Sequence, residues 1–217
     1  MTVQAVYLDG GAALNDISES HLLAKRKEFL RGSLSTPVGQ LNILVTKSSV
    51  ESLKLEGIIP ENSSIRVVSI SGSTKGALAS ALLAIELIQP HEPVLLLPTN
   101  SIVDDLNLRE FFSKMMDDGV VAGALLVKSD NPNYSYVRIH NNRVIEFIEK
   151  RVVGDMATTG VFYFRSKALL LECAKWTFVN SQITNSQFFV APSLNYVLTS
   201  GQEVGFSQID QNQYKHI

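Results

Sequence analysis

The chain has 217 residues, 45% of them hydrophobic, with 19 basic and 21 acidic side chains and a formal net charge of −2. That length suits one α/β domain, residues 1–217, and is short for two, while the balanced charge gives no long-range field for nucleic acid or an anionic membrane. The lone Cys173 rules out an intrachain disulfide framework or thiolate metal cluster. No apolar run approaches the roughly 20 residues of a membrane span, so the expectation is a soluble, cytoplasmic protein with a small-molecule partner.

Val3 to Leu8 is a short apolar run ending at Asp9-Gly10-Gly11, the pattern of a buried strand entering a tight turn. Residues 19 to 31 have helical spacing, with Ser18 or Ser20 as cap and Lys25, Arg26 and Lys27 on a face expected to be solvated. Strands are predicted at Leu41 to Thr46 and Ile65 to Ile70, a helix at Lys75 to Ile88, and a fully apolar strand at Val94 to Leu97. Asp105 to Asp118 follows as a helix and Val121 to Lys128 as a strand; Ser166 to Trp176 and Pro192 to Thr199 read as helices, and Glu203 to Ile209 as a last strand. Short apolar strands alternating with helices predict a three-layer α/β/α fold whose sheet is mostly parallel.

Into this order is inserted a hairpin. Tyr134 to Ile139 and Arg143 to Lys150 alternate apolar and polar positions on either side of His140-Asn141-Asn142. The second strand delivers an adjacent carboxylate and ammonium, Glu149 and Lys150. Strand neighbours face opposite ways, so both can line one pocket only if the strand ends or bends there, and the Gly154-Asp155 stretch that follows predicts a break.

In a sheet of this kind ligands sit beyond the carboxyl ends of the strands, which directs attention to three loops. Ser71 to Leu78 offers small residues and free backbone N–H groups, with Ser73, Thr74 and Gly76 read either as an anion or base site or as a plain cap that turns the chain. Pro98 to Asp105 carries Asn100, Asp104 and Asp105, the two acids also being ordinary helix caps. Leu8 to Asp16 carries Gly10 and Gly11 between Asp9 and Asp16, whose charges would repel a triphosphate.

Five segments carry a resemblance. Tyr134-Ser135-Tyr136-Val137, Glu146 to Lys150 and Ala157-Thr158-Thr159-Gly160-Val161-Phe162-Tyr163-Phe164 match a run found in the sugar-phosphate nucleotidyltransferases, more closely their capsular-polysaccharide branch. Thr74, Gly76, Ala77 and Leu78 resemble the family's element near the nucleotide base, and Gln187 to Tyr196 its E-F-Y-V-A-P-x-Y-N element. The likeness covers about residues 65 to 214. It implies a nucleotide-diphospho-sugar transferase-like fold, binding of a sugar phosphate or nucleotide, Mg2+ as cofactor, and a homo-oligomer. It also implies residue roles: Lys150 on the sugar phosphate as catalytic residue, Glu149, Ser135, Thr159 and Gly160 toward the sugar, and Gly10, Gly11, Ser73, Thr74 and Gly76 toward the nucleotide.

The sequence departs from that pattern at the chemistry of activation. Where the family has G-G-x-G-S/T-R-L/M and a following P-K, this chain has Gly10-Gly11-Ala12-Ala13-Leu14, with no arginine in the loop. Where the family holds its metal with an aspartate, alignment on Val103-Asp104 places Asn100, with Asp104 nearby as a substitute ligand; His216 falls near the place of a second metal-binding acid. Phosphoryl transfer relies on electrostatic stabilisation, so two readings stand: a nucleotidyl transfer from NTP to a sugar 1-phosphate, or a non-catalytic nucleotide-sugar-binding or regulatory module of polysaccharide biosynthesis. A glycosyltransferase of related fold would require an Asp-x-Asp where Thr99-Asn100-Ser101 stands.

Overall fold

Runs of five or six residues in which every side chain is apolar or hydrogen-bonded form the centre of the sheet. In the computed structural model, which describes residues 3–9, 19–34, 39–59, 61 and 63–216, β1 (Gln4–Asp9), β2 (Leu41–Thr46), β3 (Ile65–Ser69) and β4 (Val94–Pro98) lie parallel, β1 between β2 and β4. Beyond them come β6 (Ala122–Lys128) and β10 (Val204–Ile209), parallel to each other. Between β4 and β6 lies β9 (Met156–Phe164), antiparallel to both, giving the order β10-β6-β9-β4-β1-β2-β3.

Burial on both faces explains the composition of these strands. Val6, Ile43 and Leu96 point to one side, where Leu78, Leu170, Val190 and Val197 bring in α3 (Ala77–Leu82), α5 (Lys167–Val179), α6 (Val190–Ser193) and α7 (Asn195–Thr199). Tyr7, Leu44 and Leu97 point to the other, against Leu30 and Leu34 of α1 (Glu19–Leu34), Leu53 of α2 (Val50–Leu55) and Leu108, Phe111 and Met115 of α4 (Asp105–Asp117). Each such side chain, fully buried, contributes about 1.5–3 kcal/mol. The three-layer expectation holds, with a mostly parallel sheet.

The inserted hairpin is β7 (Ser135–His140) and β8 (Arg143–Glu149), joined through Asn141 and Asn142, both at positive φ as a two-residue turn requires, and attached to β9 at Tyr136 opposite Ala157. Some elements differ from the sequence reading. The helix expected from Lys75 begins only at Ala77, because Gly76 at φ +103° is outside helical space, and ends at Leu82, with a single 3-10 turn at Ile85–Leu87 beyond it. The helix expected over 192 to 199 is two short helices meeting at Leu194. Helix α2 was not foreseen; its signal was Ser49, whose hydroxyl accepts the Ser52 N–H. Nor was the antiparallel pair β5 (Ser101–Val103) with β11 (Tyr214–His216), three residues being too few to show a period.

Candidate functional site

At the base of the hairpin the chain does what two opposed charges on neighbouring residues demand. Strand β8 stops at Glu149, and Lys150 turns out of it at φ +52°, its N–H donating to the Tyr134 carbonyl at 3.0 Å. Ser135 pairs with Glu149 across the ladder, so their side chains share a face, and the Ser135 hydroxyl donates to Glu149 Oε2. Burial pushes the Glu149 carboxyl up to about 7, against the opposing pull of the Ser135 hydrogen bond and the Lys150 charge. A half-buried carboxyl titrating near neutrality can accept from, or donate to, a hydroxylated ligand. Lys150 Nζ lies 4.7 Å from the centre of the Phe189 ring, a cation–π contact that fixes the ammonium at the hairpin end.

Phe189 also connects this end to the glycine-containing loop. Gly76 sits so close to Phe188 that a Cβ there would fall 2.4 Å from the Phe188 carbonyl oxygen. The Phe188 N–H donates to the Lys75 carbonyl at 2.7 Å, and the Leu78 N–H to the Phe188 carbonyl at 3.1 Å. Thr74 Oγ1 is 2.6 Å from Ser80 Oγ and donates to the Gly76 carbonyl, while Ser73 is exposed on the loop. One dipeptide, Phe188-Phe189, thus ties the Gly76 loop to Lys150.

Thr159 and Gly160 occupy a bulge of β9. Residue pairing with β6 shifts between Ala124 and Leu126, and the Thr159 hydroxyl fills the irregularity, donating to the Leu125 carbonyl at 3.0 Å and accepting the Val161 N–H at 3.3 Å. Gly160, at φ +87°, lies against Pro98, where a Cβ would meet Pro98 Cγ at 2.9 Å. The Thr159 carbonyl accepts from Ser101 Oγ at 3.3 Å and from the Tyr214 hydroxyl at 3.5 Å, so the bulge anchors the β5–β11 pair. That small pair brings His216 to Asn100, Nε2 to Nδ2 at 3.3 Å. The His216 ring stands edge-on to Tyr134 with centroids 5.1 Å apart. Tyr134, whose own carbonyl holds the Lys150 N–H, therefore joins the Asn100–His216 pair to the hairpin base. Sequence reasoning missed Tyr134 and Phe189 as connectors, because their partners lie about 80 and about 40 residues away and only tertiary packing reveals them.

Asp9 and Asp104 are already engaged, and Asp105 is engaged through one oxygen. Asp104 caps α4, accepting from the Asn107 N–H at 2.9 Å and Asn107 Nδ2 at 2.6 Å. Asp105 pairs with Arg109 through Oδ2 at 2.7 Å, while its Oδ1 is buried with no hydrogen-bond partner among the described residues. Asp9, 3% exposed, accepts from Arg26 Nε at 3.0 Å and Nη2 at 2.5 Å, from Thr46 Oγ1 at 2.5 Å and from Thr99 Oγ1 at 3.3 Å. This corrects the expectation of a wholly solvated basic face on α1: Arg26 is half-buried and neutralises Asp9, and Lys27 lies 3.4 Å from Glu56. Gly10 and Gly11 lie outside the described residues. Among the described residues no group of three or more His, Cys, Asp or Glu side chains is placed to hold a metal ion. The Mg2+ that the resemblance implies needs several charged oxygen donors, and Asn100 beside His216, with Asp104 committed to its helix, does not fit it.

A cavity of about 140 Å³ lies on the α1 and α4 side of the sheet, lined by Tyr7, Ser33, Pro98, Ser101, Asp104 and Leu108 among others; of the predicted site residues it includes Asp104. No helix of the described residues is long and apolar enough to cross a membrane.

Comparison with known proteins bears on this arrangement at two levels. A search of curated proteins by sequence finds no match. Solved structures match closely in shape. A nucleoside-diphosphate-sugar pyrophosphorylase from Vibrio cholerae superposes with a TM-score of 0.76 at 13% identity, over 98% of this chain and 95% of that one. The inositol-1-phosphate CTP transferase of T. maritima gives 0.69 at 18% identity, over 100% and 89%. A putative glucose-1-phosphate thymidylyltransferase from Bacillus anthracis, solved with a sucrose, gives 0.64 at 14%, over 96% and 87%. At such identities these likenesses establish the fold, including the N-terminal part that resembled little in sequence. The sequence profile of the Nucleotidyl transferase family matches residues 39–188, a span from β2 through the hairpin to Phe188 that takes in more than half of the chain, and the chain therefore belongs to that family.

Proposed function

We propose that the chain, acting as one nucleotidyltransferase-like domain, binds a sugar phosphate or nucleotide sugar at the hairpin base and transfers a nucleotidyl group from an NTP to a sugar 1-phosphate. Lys150 contacts the sugar phosphate, and Glu149, held by Ser135, takes the sugar hydroxyls. Gly76 and its neighbours Ser73 and Thr74 face the base, with Thr159 and Gly160 shaping the floor between through the β9 bulge. The observation that supports this reading is the Phe188-Phe189 tie, one dipeptide whose first residue bonds the Gly76 loop and whose second carries the Lys150 ammonium on its ring. An ammonium fixed beside a near-neutral carboxyl and a backbone-rich loop suits a ligand with a phosphate, hydroxyls and a flat base. The capsular-polysaccharide likeness of the hairpin makes the product a precursor for polysaccharide assembly.

Pyrophosphate release over a panel of NTPs and sugar 1-phosphates, with Mg2+ supplied in the buffer, tests it: turnover that Lys150→Ala abolishes supports the enzyme. A second reading, a non-catalytic nucleotide-sugar-binding module, is favoured by one observation. Asn100 and the engaged Asp9 and Asp104 stand where charge for activating a triphosphate would be needed. Thermal stabilisation by a nucleotide sugar, sensitive to Lys150→Ala and without pyrophosphate release from any pair, decides for the module.

A further inference from the structure

We propose that Asn195 is a positioning residue for the Glu149 and Lys150 pair, its side-chain amide standing in for a neighbouring strand at the free edge of β8. The inference rests on the hairpin base being the place of the sugar phosphate.

Among the described strands β8 pairs with β7 alone, so its other edge has no strand beside it. In an antiparallel ladder every second residue turns both its N–H and its carbonyl away from the partner strand, and on such an edge these groups need other bonds. At Phe147 both go to one side chain: Asn195 Oδ1 accepts the N–H at 2.8 Å, and Asn195 Nδ2 donates to the carbonyl at 2.9 Å. An amide presents an acceptor and a donor together, and so reproduces the two bonds that a strand residue would make. A carboxylate would turn a second acceptor toward the Phe147 carbonyl, and an apolar side chain would leave both groups unmet.

Phe147 in turn governs the acid. Alternate side chains on a strand share a face, so Phe147, 2% exposed, sets the face and depth at which Glu149 follows it. Toward the turn the ladder is irregular: pairing shifts between Arg138 and Ile139, which leaves Ile145 out of register. The bulge interrupts the ladder between the turn and the hairpin base, and the Asn195 bonds lie on the base side of it. Asn195 opens α7 directly after α6, whose N-cap is Phe189, the residue whose ring carries Lys150. Val190 to Ser193 are buried, and the Ser193 hydroxyl donates to the Val190 carbonyl at 2.6 Å, so Phe189 and Asn195 sit on one stiff piece. That piece holds the chain on both sides of Glu149, at Phe147 before it and at Lys150 after it.

Two measurements on wild type and Asn195→Ala test the proposal: NMR titration of the Glu149 carboxyl in glutamate-labelled protein, and calorimetry with glucose 1-phosphate and UDP-glucose. Asn195→Ser takes the place of Asn195→Ala if the latter does not fold. Ser166→Ala, which uncaps α5 in the same layer without touching β8, is the control for a general loss of stability. Asn195→Ala is expected to lower the Glu149 midpoint from about 7 by about one unit, as water reaches the loosened strand end, and to weaken the Kd about tenfold. Ser166→Ala leaves both readouts as in wild type. A midpoint raised or within about 0.2 unit of wild type, a Kd within about twofold of it, or changes that Ser166→Ala matches overturn the inference. If wild type binds neither probe, or Lys150→Ala binds as wild type does, the reading of the hairpin base as a sugar-phosphate site fails, and the Glu149 midpoint alone decides whether Asn195 positions the acid.

Discussion

Replacing Glu149 by glutamine isolates the electrostatic cost of the hairpin base. The carboxyl is ordinary at 4.5 in the unfolded chain and is pushed up to about 7 in the folded one, chiefly by burial. A folded-state pKa above the unfolded one means that the native protein binds the proton more tightly. Between about pH 4.5 and about pH 7 the native state therefore carries more protons, and stability falls as pH rises through that window and levels off above it. At about 1.4 kcal/mol per pK unit the full span is about 3 kcal/mol, and the solvent contact left to a half-buried group reduces it to about 2. Glutamine keeps an acceptor for the Ser135 hydroxyl and does not titrate. Urea unfolding followed by circular dichroism at a series of pH values should then show Glu149→Gln gaining about 2 kcal/mol on wild type between about pH 5 and about pH 8. A difference that is flat across that range, or one in which wild type gains, refutes the claim that burial governs this carboxyl.

Arg26→Gln leaves the Asp9 carboxylate buried with, among the described residues, two threonine hydroxyls, and chemical denaturation should register a loss of about 3 kcal/mol, largely relieved when Asp9→Asn is added. Gly76→Ala forces a side chain into φ +103° and against the Phe188 carbonyl, so it should cost about 2–3 kcal/mol by the same measurement and loosen Lys150, read as a weaker sugar-phosphate Kd in calorimetry. Burial pushes the Cys173 thiol up to about 12, so labelling by a disulfide reagent at neutral pH should proceed only at the rate of unfolding, and accelerate in denaturant.

What the sequence made legible follows from the range of the interactions involved. The central strands could be read because they bury both faces and so appear as apolar runs, as in Val94 to Leu97. The break after Glu149 could be read because it is local: adjacent charges and a following Gly-Asp stretch fix it, and Lys150 takes a positive φ there. The capping role of Asp104 was visible as one of two readings, and its bonds to Asn107 realise it. By contrast the role of Arg26 was hidden, since the carboxylate that captures it is 17 residues away at the end of another element. The β5–β11 pair was hidden for the same reason, with no periodic signal in three residues and a partner more than a hundred residues distant.

The site is assembled by aromatic and backbone contacts, and this explains how charged residues are held in place with few opposite charges nearby. Lys150 rests on the Phe189 ring, and Phe189 is positioned because the Phe188 backbone is bonded on both sides to the Gly76 loop. Asn100 and His216 are positioned because β11 is pinned by the Thr159 carbonyl, and that carbonyl is exposed to Ser101 and Tyr214 by the bulge that the Thr159 hydroxyl and Gly160 create. None of these ties uses a carboxylate. The geometry of this end of the sheet is thus set by folding, through aromatic packing and backbone hydrogen bonds.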